Sequence, residues 1–139
     1  MTKKTRTPLL HVACAIIEKN GQVLAAQRGR SMRMPLRWEF PGGKIDPGES
    51  AEGCLKREIA EELSVAIAVR RAMPPCTHDY PDFAITLHPF VCTIASGEIT
   101  LNEHRAIAWL CPEELPLLNW TEADIPVVNA YRKSLADRP

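Results

Sequence analysis

A helix predicted over residues 50–63 has a carboxylate on the face that should be buried, and this constrains the chain more than any other feature. Ser50 is a favourable N-cap residue. Behind it, apolar side chains repeat every four positions, at Ala51, Leu55, Ile59 and Leu63. At 100° per residue, Glu62 falls about 20° from Leu55 and therefore inside the apolar stripe. Glu58 lies about 60° from Leu55 on one flank, and Glu61 lies further round the same flank.

These three glutamates would repel one another, and burial would raise that cost. An ordinary solvated acidic face is the simpler interpretation, and it suits Glu61 but suits Glu62 badly. A divalent cation would neutralise the cluster. Because the candidate ligands are all oxygens, the pattern favours Mg²⁺ or Mn²⁺ over zinc.

The segment around this helix resembles the Nudix box. Gly43 is followed after five residues by Glu49, and after seven more by the run REIAEELSV from Arg57 to Val65. One position departs from the family pattern, because Ser64 stands where glycine is usual, just past the helix. Glycine there would supply a left-handed C-cap, and serine adopts that conformation only at some cost.

The resemblance implies an α+β fold of the Nudix type, an α/β/α sandwich with a mixed β-sheet. It implies a hydrolase in which Arg57, Glu58 and Glu61 have catalytic roles, with Glu58 near the attacking water. Arg57 would hold a carboxylate through a charge-assisted hydrogen bond, and a surface ion pair is the alternative. The metal region implied by the resemblance consists of Gly43, Glu49, Glu58, Glu61, Glu62 and Glu103.

The likeness extends over roughly residues 11–135. The segments WEFPGGK (38–44), YPDF (80–83) and EADIPVV (122–128) resemble those of MutT-type enzymes, and the first also resembles that of the related CTP pyrophosphohydrolases. This implies a set of substrate-binding residues near the phosphates and the base: Arg28, Glu39, Lys44, Tyr80, Phe83 and Asp124.

Most of these residues have an ordinary alternative. Arg28 suits a plain loop, Lys44 suits a solvent-facing position, and Glu103 suits an exposed turn. Tyr80 and Phe83 would flank the base by stacking, although aromatic residues at strand ends are more often part of a core. Glu39, in a short inward strand, is awkward as a surface residue, which favours a functional role.

Asp124 has two competing interpretations of equal weight. Its carboxylate could hydrogen-bond the edge of a base. It also stands just before Ile125-Pro126, where the N-cap of the last helix is expected. Of the neighbouring polar and aromatic residues, His104 resembles nothing catalytic, and Trp109 and Trp120 are expected to pack in the core.

Hydrophobic patterning predicts a final helix over Asp124 to Leu135 and an irregular stretch over Pro74 to Asp82. Asn20-Gly21 predicts a hairpin turn. Strands are predicted at His11–Ile17, Val23–Gln27, Trp38–Phe40, Val65–Val69, Ala84–Ile94, Ile99–Leu101 and Ala106–Leu110. The whole chain, residues 1–139, is expected to be one domain with a flexible N-terminus over residues 1–8.

The amino-acid composition restricts the kinds of partner and the cellular location that are expected. The sequence has 17 basic and 17 acidic residues, which argues against binding a nucleic-acid polymer. Five well-separated cysteines without zinc spacing suggest reduced thiols and a cytoplasmic protein. No apolar stretch long enough for a membrane is present in the sequence, and a monomer or small homo-oligomer is expected.

The leading hypothesis is Mg²⁺-dependent hydrolysis of a (deoxy)nucleoside triphosphate to the monophosphate and pyrophosphate, a role in sanitation of the nucleotide pool and DNA repair. The base could be an oxidised purine, as in 8-oxo-dGTP, or a pyrimidine, as in CTP or a modified dCTP. A dinucleotide or nucleotide-sugar hydrolase is the second hypothesis. A non-catalytic nucleotide-binding module is the third, and the retained box carboxylates argue against it.

Overall fold

One long strand at the centre of the sheet, β1, organises the fold. The computed structural model describes residues 8–137, so all but Pro8 of the flexible end expected for residues 1–8 lies outside the described residues. Pro8 is described, and its carbonyl accepts a hydrogen bond from the backbone N–H of Ala84 at 2.8 Å. The strands are β1 (Leu9–Lys19), β2 (Gln22–Gln27), β3 (Trp38–Glu39), β4 (Gly42–Lys44), β5 (Ala66–Ala72), β6 (Cys76–Asp79), β7 (Ala84–Ser96) and β8 (Ala106–Leu110). The helices are α1 (Ala51–Leu63), a 3₁₀-helix (Pro112–Leu117) and α2 (Ile125–Ala136).

Strand β1 has different partners along its length. It runs parallel to β7 along one edge, from Leu9 opposite Ala84 to Ile17 opposite Cys92. On its other edge the first half pairs antiparallel with β4, and the end pairs antiparallel with β2. The complete path is β3-β2-β1-β7-β5, with β4 on β1, β6 on β7 and β8 on β2. The sheet is therefore mixed, as the sequence predicted.

The two faces of this sheet carry separate apolar clusters, one under each helix. Alternate residues of β1 point to opposite faces, as strand geometry requires. Ala13, Ala15 and Ile17 pack with the buried face of α1, where Leu55, Ile59 and Leu63 have no exposed surface. Cys14 and Ile16 pack on the other face with the side chains of α2. Each fully buried Leu or Ile contributes about 1.5–3 kcal/mol to folding, so these stripes fix both helices.

Three details of the predicted elements are wrong. Ile99–Leu101 is not a strand, because the segment crosses the end of α1, where Thr100 N–H donates to the Leu63 carbonyl. The stretch expected to be irregular contains β6, whose Cys76 to Asp79 pair antiparallel with β7. Gly42 to Lys44, which lie beyond the end of the strand predicted at Trp38–Phe40, form a strand of their own, β4. The hairpin turn at Asn20-Gly21 is confirmed, since both residues have positive φ angles of 53° and 77°.

Candidate active site

Two consecutive glycines bring β4 against both β1 and helix α1. A Cβ atom on Gly42 would lie 1.9 Å from the Ala13 carbonyl oxygen, so the neighbouring strand leaves no space for a side chain. A Cβ atom on Gly43 would lie 2.2 Å from Cδ of Glu58. The Glu58 carboxylate therefore rests directly on the Gly43 backbone, and glycine is required for this close approach.

Arg57 ties the carboxylates at this end of α1 together. Its guanidinium donates to both carboxylate oxygens of Glu49, at 2.9 and 3.0 Å, and to Glu58 Oε1 at 2.9 Å. Ion pairs of 3.5 Å to Glu61 and 3.4 Å to Asp46 complete the group. The hydrogen bond from Arg57 is the main reason why the pKa of Glu49 falls from 4.5 to about 2. Burial raises the pKa of the Glu58 carboxyl, and the bond from Arg57 opposes that shift.

Glu62 is the buried carboxylate that the helical phase predicted. Only 5% of the residue is exposed, and its Oε2 atom has no hydrogen-bond partner among the described residues. Burial, followed by the nearby carboxylates of Glu39, Glu103 and Glu58, raises the pKa of Glu62 from 4.5 to about 9. A charged form at this position requires a neutralising partner.

Glu39, a further carboxylate near Glu62, is bound by side chains from two other segments. Its Oε1 atom accepts a hydrogen bond from Arg28 Nη1 at 2.7 Å, and its Oε2 atom lies 2.8 Å from His104 Nε2. The Arg28 side chain comes from the end of β2, and His104 comes from the loop between β7 and β8. Two separate segments thus fix one carboxylate.

A cavity of about 270 Å³ extends from this acidic group between the sheet and the loop after β2. Glu62, Gly43 and Lys44 line one end of it, which we call the acidic end. Most of the remaining lining is apolar or aromatic, and we call it the apolar end; it consists of Leu10, Val12, Cys14, Met32, Met34, Tyr80, Phe83, Ile85 and Leu87, together with the buried Asp124. One continuous space therefore offers carboxylates on one side and apolar and aromatic surface on the other.

The aromatic pair of the apolar end is stacked. The ring centroids of Tyr80 and Phe83 are 4.9 Å apart, and the guanidinium of Arg33 lies 4.6 Å from the Phe83 centroid. The Tyr80 hydroxyl oxygen accepts a hydrogen bond from the Ala123 backbone at 3.1 Å. This bond fixes the hydroxyl end of the ring, and the ring itself lines the cavity.

Asp124 does not cap the last helix, so that interpretation is wrong. Although it occupies the N-cap position of α2, its side chain makes no capping hydrogen bond. Its Oδ1 atom accepts from the Phe40 N–H at 3.0 Å, and its Oδ2 atom accepts from the Thr121 hydroxyl. Burial, followed by the charge of Glu39, raises the pKa of Asp124 from 3.8 to about 7. The carboxylate is held at the apolar end by contacts with two other segments.

The comparisons with known proteins agree with this geometry. The NUDIX domain family model matches residues 7–131. The CTP pyrophosphohydrolase of Escherichia coli (strain K12) is 34% identical over 131 residues, which make up 94% of this chain and 97% of that protein. The 8-oxo-dGTP diphosphatase of Proteus vulgaris is 38% identical over 92 residues, or 66% of this chain and 82% of that protein. The solution structure of the E. coli ORF135 protein has a TM-score of 0.83 at 33% identity, covering 96% of this chain and 95% of that one.

The chain belongs to the Nudix family. The predicted family, the α+β fold and the hydrolase class are confirmed. Helix α1 with its flanking loops is the Nudix box, and its Gly43, Lys44 and Glu62 line the acidic end of the cavity.

Ser64, the one residue that departs from the Nudix box pattern, is stabilised by hydrogen bonds from another loop. Ser64 adopts the left-handed conformation, with φ 61° and ψ 29°, and so performs the C-cap role of the usual glycine. Asn102 donates to the Ser64 hydroxyl oxygen at 3.0 Å and to the Glu61 carbonyl at 2.8 Å. These bonds from a distant loop stabilise a conformation that serine otherwise disfavours.

Nudix hydrolases generally use Mg²⁺, and the donor set suits it. The groups near the box are carboxylate and carbonyl oxygens, which hard divalent cations prefer as ligands. Among them, the Oε2 atom of Glu62 has no hydrogen-bond partner within the described residues and is available as a metal ligand. Within residues 8–137, no three His, Cys, Asp or Glu side chains already meet in a geometry that could hold a metal ion. Two of the candidate ligands, Glu49 and Glu58, are hydrogen-bonded to Arg57.

The predicted site residues divide into those that meet at the cavity and those at its edge. Lys44 and Glu103 are exposed, as their alternative interpretations expected, although Lys44 lines the cavity and Glu103 is close enough to influence Glu62. Glu61 is 55% exposed in its side chain. Arg28, Glu39, Tyr80, Phe83 and Asp124 all line the cavity.

Several residues that line the cavity or lie beside it were missed. His104 is buried beside Glu39. Its position in the sequence, between the predicted site residue Glu103 and a predicted strand, is the feature that could have indicated a role at the site. Thr121 precedes Asp124 by three residues, a spacing typical of local side-chain hydrogen bonds. Met32 and Met34 lie in a charged loop and carry no sequence signal. The packing role of Trp120 is confirmed, since it is 3% exposed and its indole N–H donates to the Leu115 carbonyl at 2.6 Å.

Two further findings concern the rest of the molecule. All five cysteines are unpaired. No helix in the described part of the chain is long and apolar enough to cross a membrane.

Proposed function

We propose that this Nudix hydrolase converts a nucleoside or deoxynucleoside triphosphate to the monophosphate and pyrophosphate. The supporting observation is the single cavity whose acidic end is the Nudix box and whose apolar end carries a stacked aromatic pair. A triphosphate with its base fits this division, because the phosphates need cations and the base needs flat apolar surface.

At the acidic end, we assign the metal region to Gly43, Glu49, Glu58, Glu61, Glu62 and Glu103. Bound Mg²⁺ would offset the charge of the phosphates and of the oxygen that departs. Arg57 keeps Glu49 and Glu58 in fixed positions through its hydrogen bonds. Glu58 is the candidate that accepts the proton of the attacking water, since burial raises its pKa towards a range useful for proton transfer.

The cationic side chains at the cavity suit the phosphates. Lys44 and Arg28 both line the cavity; Lys44 is exposed, and Arg28 bonds Glu39. Arg28 is already held by Glu39, which restricts it to a fixed direction. A planar guanidinium in a fixed position is well suited to phosphate oxygens.

At the apolar end, Tyr80 and Phe83 would stack on the base and Asp124 would lie near its edge. The pool of candidate substrates follows the relatives, one named a CTP pyrophosphohydrolase and another an 8-oxo-dGTP diphosphatase. A role in sanitation of the nucleotide pool, and so in DNA repair, is proposed on the same basis.

The test is release of pyrophosphate from a panel of 8-oxo-dGTP, dGTP, CTP, dCTP and 5-methyl-dCTP in the presence of Mg²⁺. We expect pyrophosphate and monophosphate in equal amounts, with a clear ranking of kcat/KM among the bases. Omission of Mg²⁺ is the control, and Mn²⁺ should replace it. No hydrolysis of any triphosphate would overturn the proposal.

Two alternatives make different products. A dinucleotide or nucleotide-sugar hydrolase would release two monophosphates from a diphosphate bridge and no pyrophosphate. A non-catalytic module would bind nucleotide without turnover, and the retention of Glu49, Glu58, Glu61 and Glu62 argues against it.

We further propose that residues 1–139 act as one cytoplasmic domain, as a monomer or small homo-oligomer, without a nucleic-acid polymer as partner. The balanced charge and the unpaired cysteines support this.

A further inference from the structure

His104 is a fully enclosed imidazole in a loop that is otherwise exposed. Its side chain has no exposed surface, whereas the residues on either side of it, Glu103 and Arg105, are exposed. Its hydrogen-bond partner is Glu39, with 2.8 Å between Nε2 and Oε2. Because a carboxylate accepts, Nε2 carries the proton and donates it.

The other half of the ring has no such partner. The Nδ1 atom is buried and makes no hydrogen bond within the described residues. A buried polar atom without a partner opposes folding, so an aliphatic side chain would serve packing better. This unfavourable feature indicates that the residue is present for its bond to Glu39 and not for stability alone.

Glu39 needs such a bond because of where it lies. Its charge acts on both Glu62 and Asp124 and helps to raise the pKa of each. Without fixed partners, the Glu39 side chain would have several rotamers available beside these two carboxyl groups. Arg28 holds one oxygen at 2.7 Å, and His104 holds the other.

The same residue also fixes the loop that carries Glu103. Asn102 N–H donates to the Glu62 carbonyl at 3.1 Å, and Arg105 N–H donates to the Gln27 carbonyl at 3.0 Å. The His104 side chain anchors the segment between these two backbone bonds to β3 through Glu39. Glu103 thus stays close enough to Glu62 to influence its ionisation.

We propose that His104 is a positioning residue of the reaction, which sets the Glu39 carboxylate at the junction of the acidic and apolar ends and keeps the Glu103 loop in place. The inference rests on the proposed function. It assigns a role to a side chain that contacts neither end of the cavity directly.

A double-mutant cycle in the full-length protein tests this proposal. His104→Leu should lower kcat/KM for the best triphosphate by about 10- to 100-fold, as loss of a carboxylate's supporting partner does. His104→Gln should retain kcat/KM within about threefold, because the Gln side-chain amide can still donate to Glu39. In a Glu39→Ala background, which leaves His104 no side chain to bond, His104→Leu should change kcat/KM by less than about twofold, because the two residues act as a unit.

The control and the physical readout separate position from folding. His88→Gln replaces a histidine whose ring bonds His11 away from the cavity, and it should leave kcat/KM unchanged. Long-range ¹⁵N–¹H NMR of the wild type should show His104 protonated at Nε2. A ring protonated at Nδ1 alone would overturn the proposal, since Nε2 could not then donate.

The outcomes also separate this proposal from the proposed function. A wild type that hydrolyses no triphosphate overturns the proposed function. An active wild type together with a fully active His104→Leu variant overturns the role of His104 alone. A full loss from His104→Leu in the Glu39→Ala background, or an equal loss from His104→Gln, would show that the residue does not act through Glu39.

Discussion

The two ends of the cavity are built from the chain in opposite ways. The acidic end comes mainly from one continuous segment, residues 43–62, in which a helix fixes the spacing of the carboxylates. The apolar end collects side chains from β1, the loop after β2, the turn before β7 and the start of α2. A local segment can therefore specify the chemistry, whereas the shape of the base pocket depends on packing between distant elements.

The strongest test of this division is Glu58→Gln. Because the substitution removes a proton acceptor without changing size, we expect kcat to fall by about 10²- to 10⁴-fold. The apolar end should be untouched, so KM should change little, and thermal melting should stay close to that of the wild type. Near wild-type turnover would show that the acidic end does not perform the chemistry.

Gly43→Ala tests the backbone beneath the same carboxylate. The new Cβ atom would lie 2.2 Å from Glu58 Cδ, and a flexible side chain would move before the backbone does. We therefore expect kcat/KM to fall by about 10- to 100-fold with little loss of stability. Gly29→Ala is the matched control, because its Cβ would meet Met32 Sδ at an ordinary 3.8 Å. Equal activity of the two variants would contradict the proposed contact.

Phe83→Ala tests the apolar end. Loss of one stacking face should raise KM for the triphosphate about tenfold, with kcat changed by less than about threefold. Phe83→Leu keeps an apolar side chain without the aromatic face, and it should give an intermediate KM. Steady-state kinetics over the base panel would measure both. A fall in kcat with constant KM would mean that the two ends are not separable in this way.

The smallest effect is expected for Asp124→Asn, which should change how the stability of the protein depends on pH. The pKa of Asp124 is raised to about 7 in the folded protein, against an ordinary value of 3.8. Between about pH 4 and pH 7, the folded protein therefore keeps a proton on Asp124 that the unfolded chain has lost. The stabilisation of the folded state by this proton is complete below about pH 4 and is lost as the pH rises through about 7. The stability of the wild type relative to Asp124→Asn should fall with rising pH, by at most about 1.4 kcal/mol per pH unit. Urea unfolding of both proteins measures this difference, and parallel pH curves would contradict it.

The helix and its buried carboxylate were predictable because they depend on local periodicity. Glu62 lies inside the apolar stripe and is 5% exposed, as its angle from Leu55 indicated. The chain also formed the predicted hairpin at Asn20-Gly21, where the turn residues suffice. These features involve residues that are close in sequence, so a single sequence contains the information that determines them.

Other features could not be predicted, because distant partners decide them. The apolar run at Ile99–Leu101 has strand-like composition, yet its backbone bonds the end of α1. Asp124 stands where an N-cap is expected, yet its carboxylate accepts a hydrogen bond from the N–H of Phe40, which is far away in the sequence. His104 is surrounded by charged and exposed residues, and its burial follows from the position of Glu39 in another strand.

The bond between Asn102 and Ser64 affects how relatives of this chain should be sought. A profile that scores each position separately penalises serine at the end of the box, since the reason for its tolerance lies 38 residues further on. A search that scores the two positions as a pair would accept such sequences without relaxing the rest of the pattern. Enzymes with this substitution can then be separated from chains in which the box has decayed.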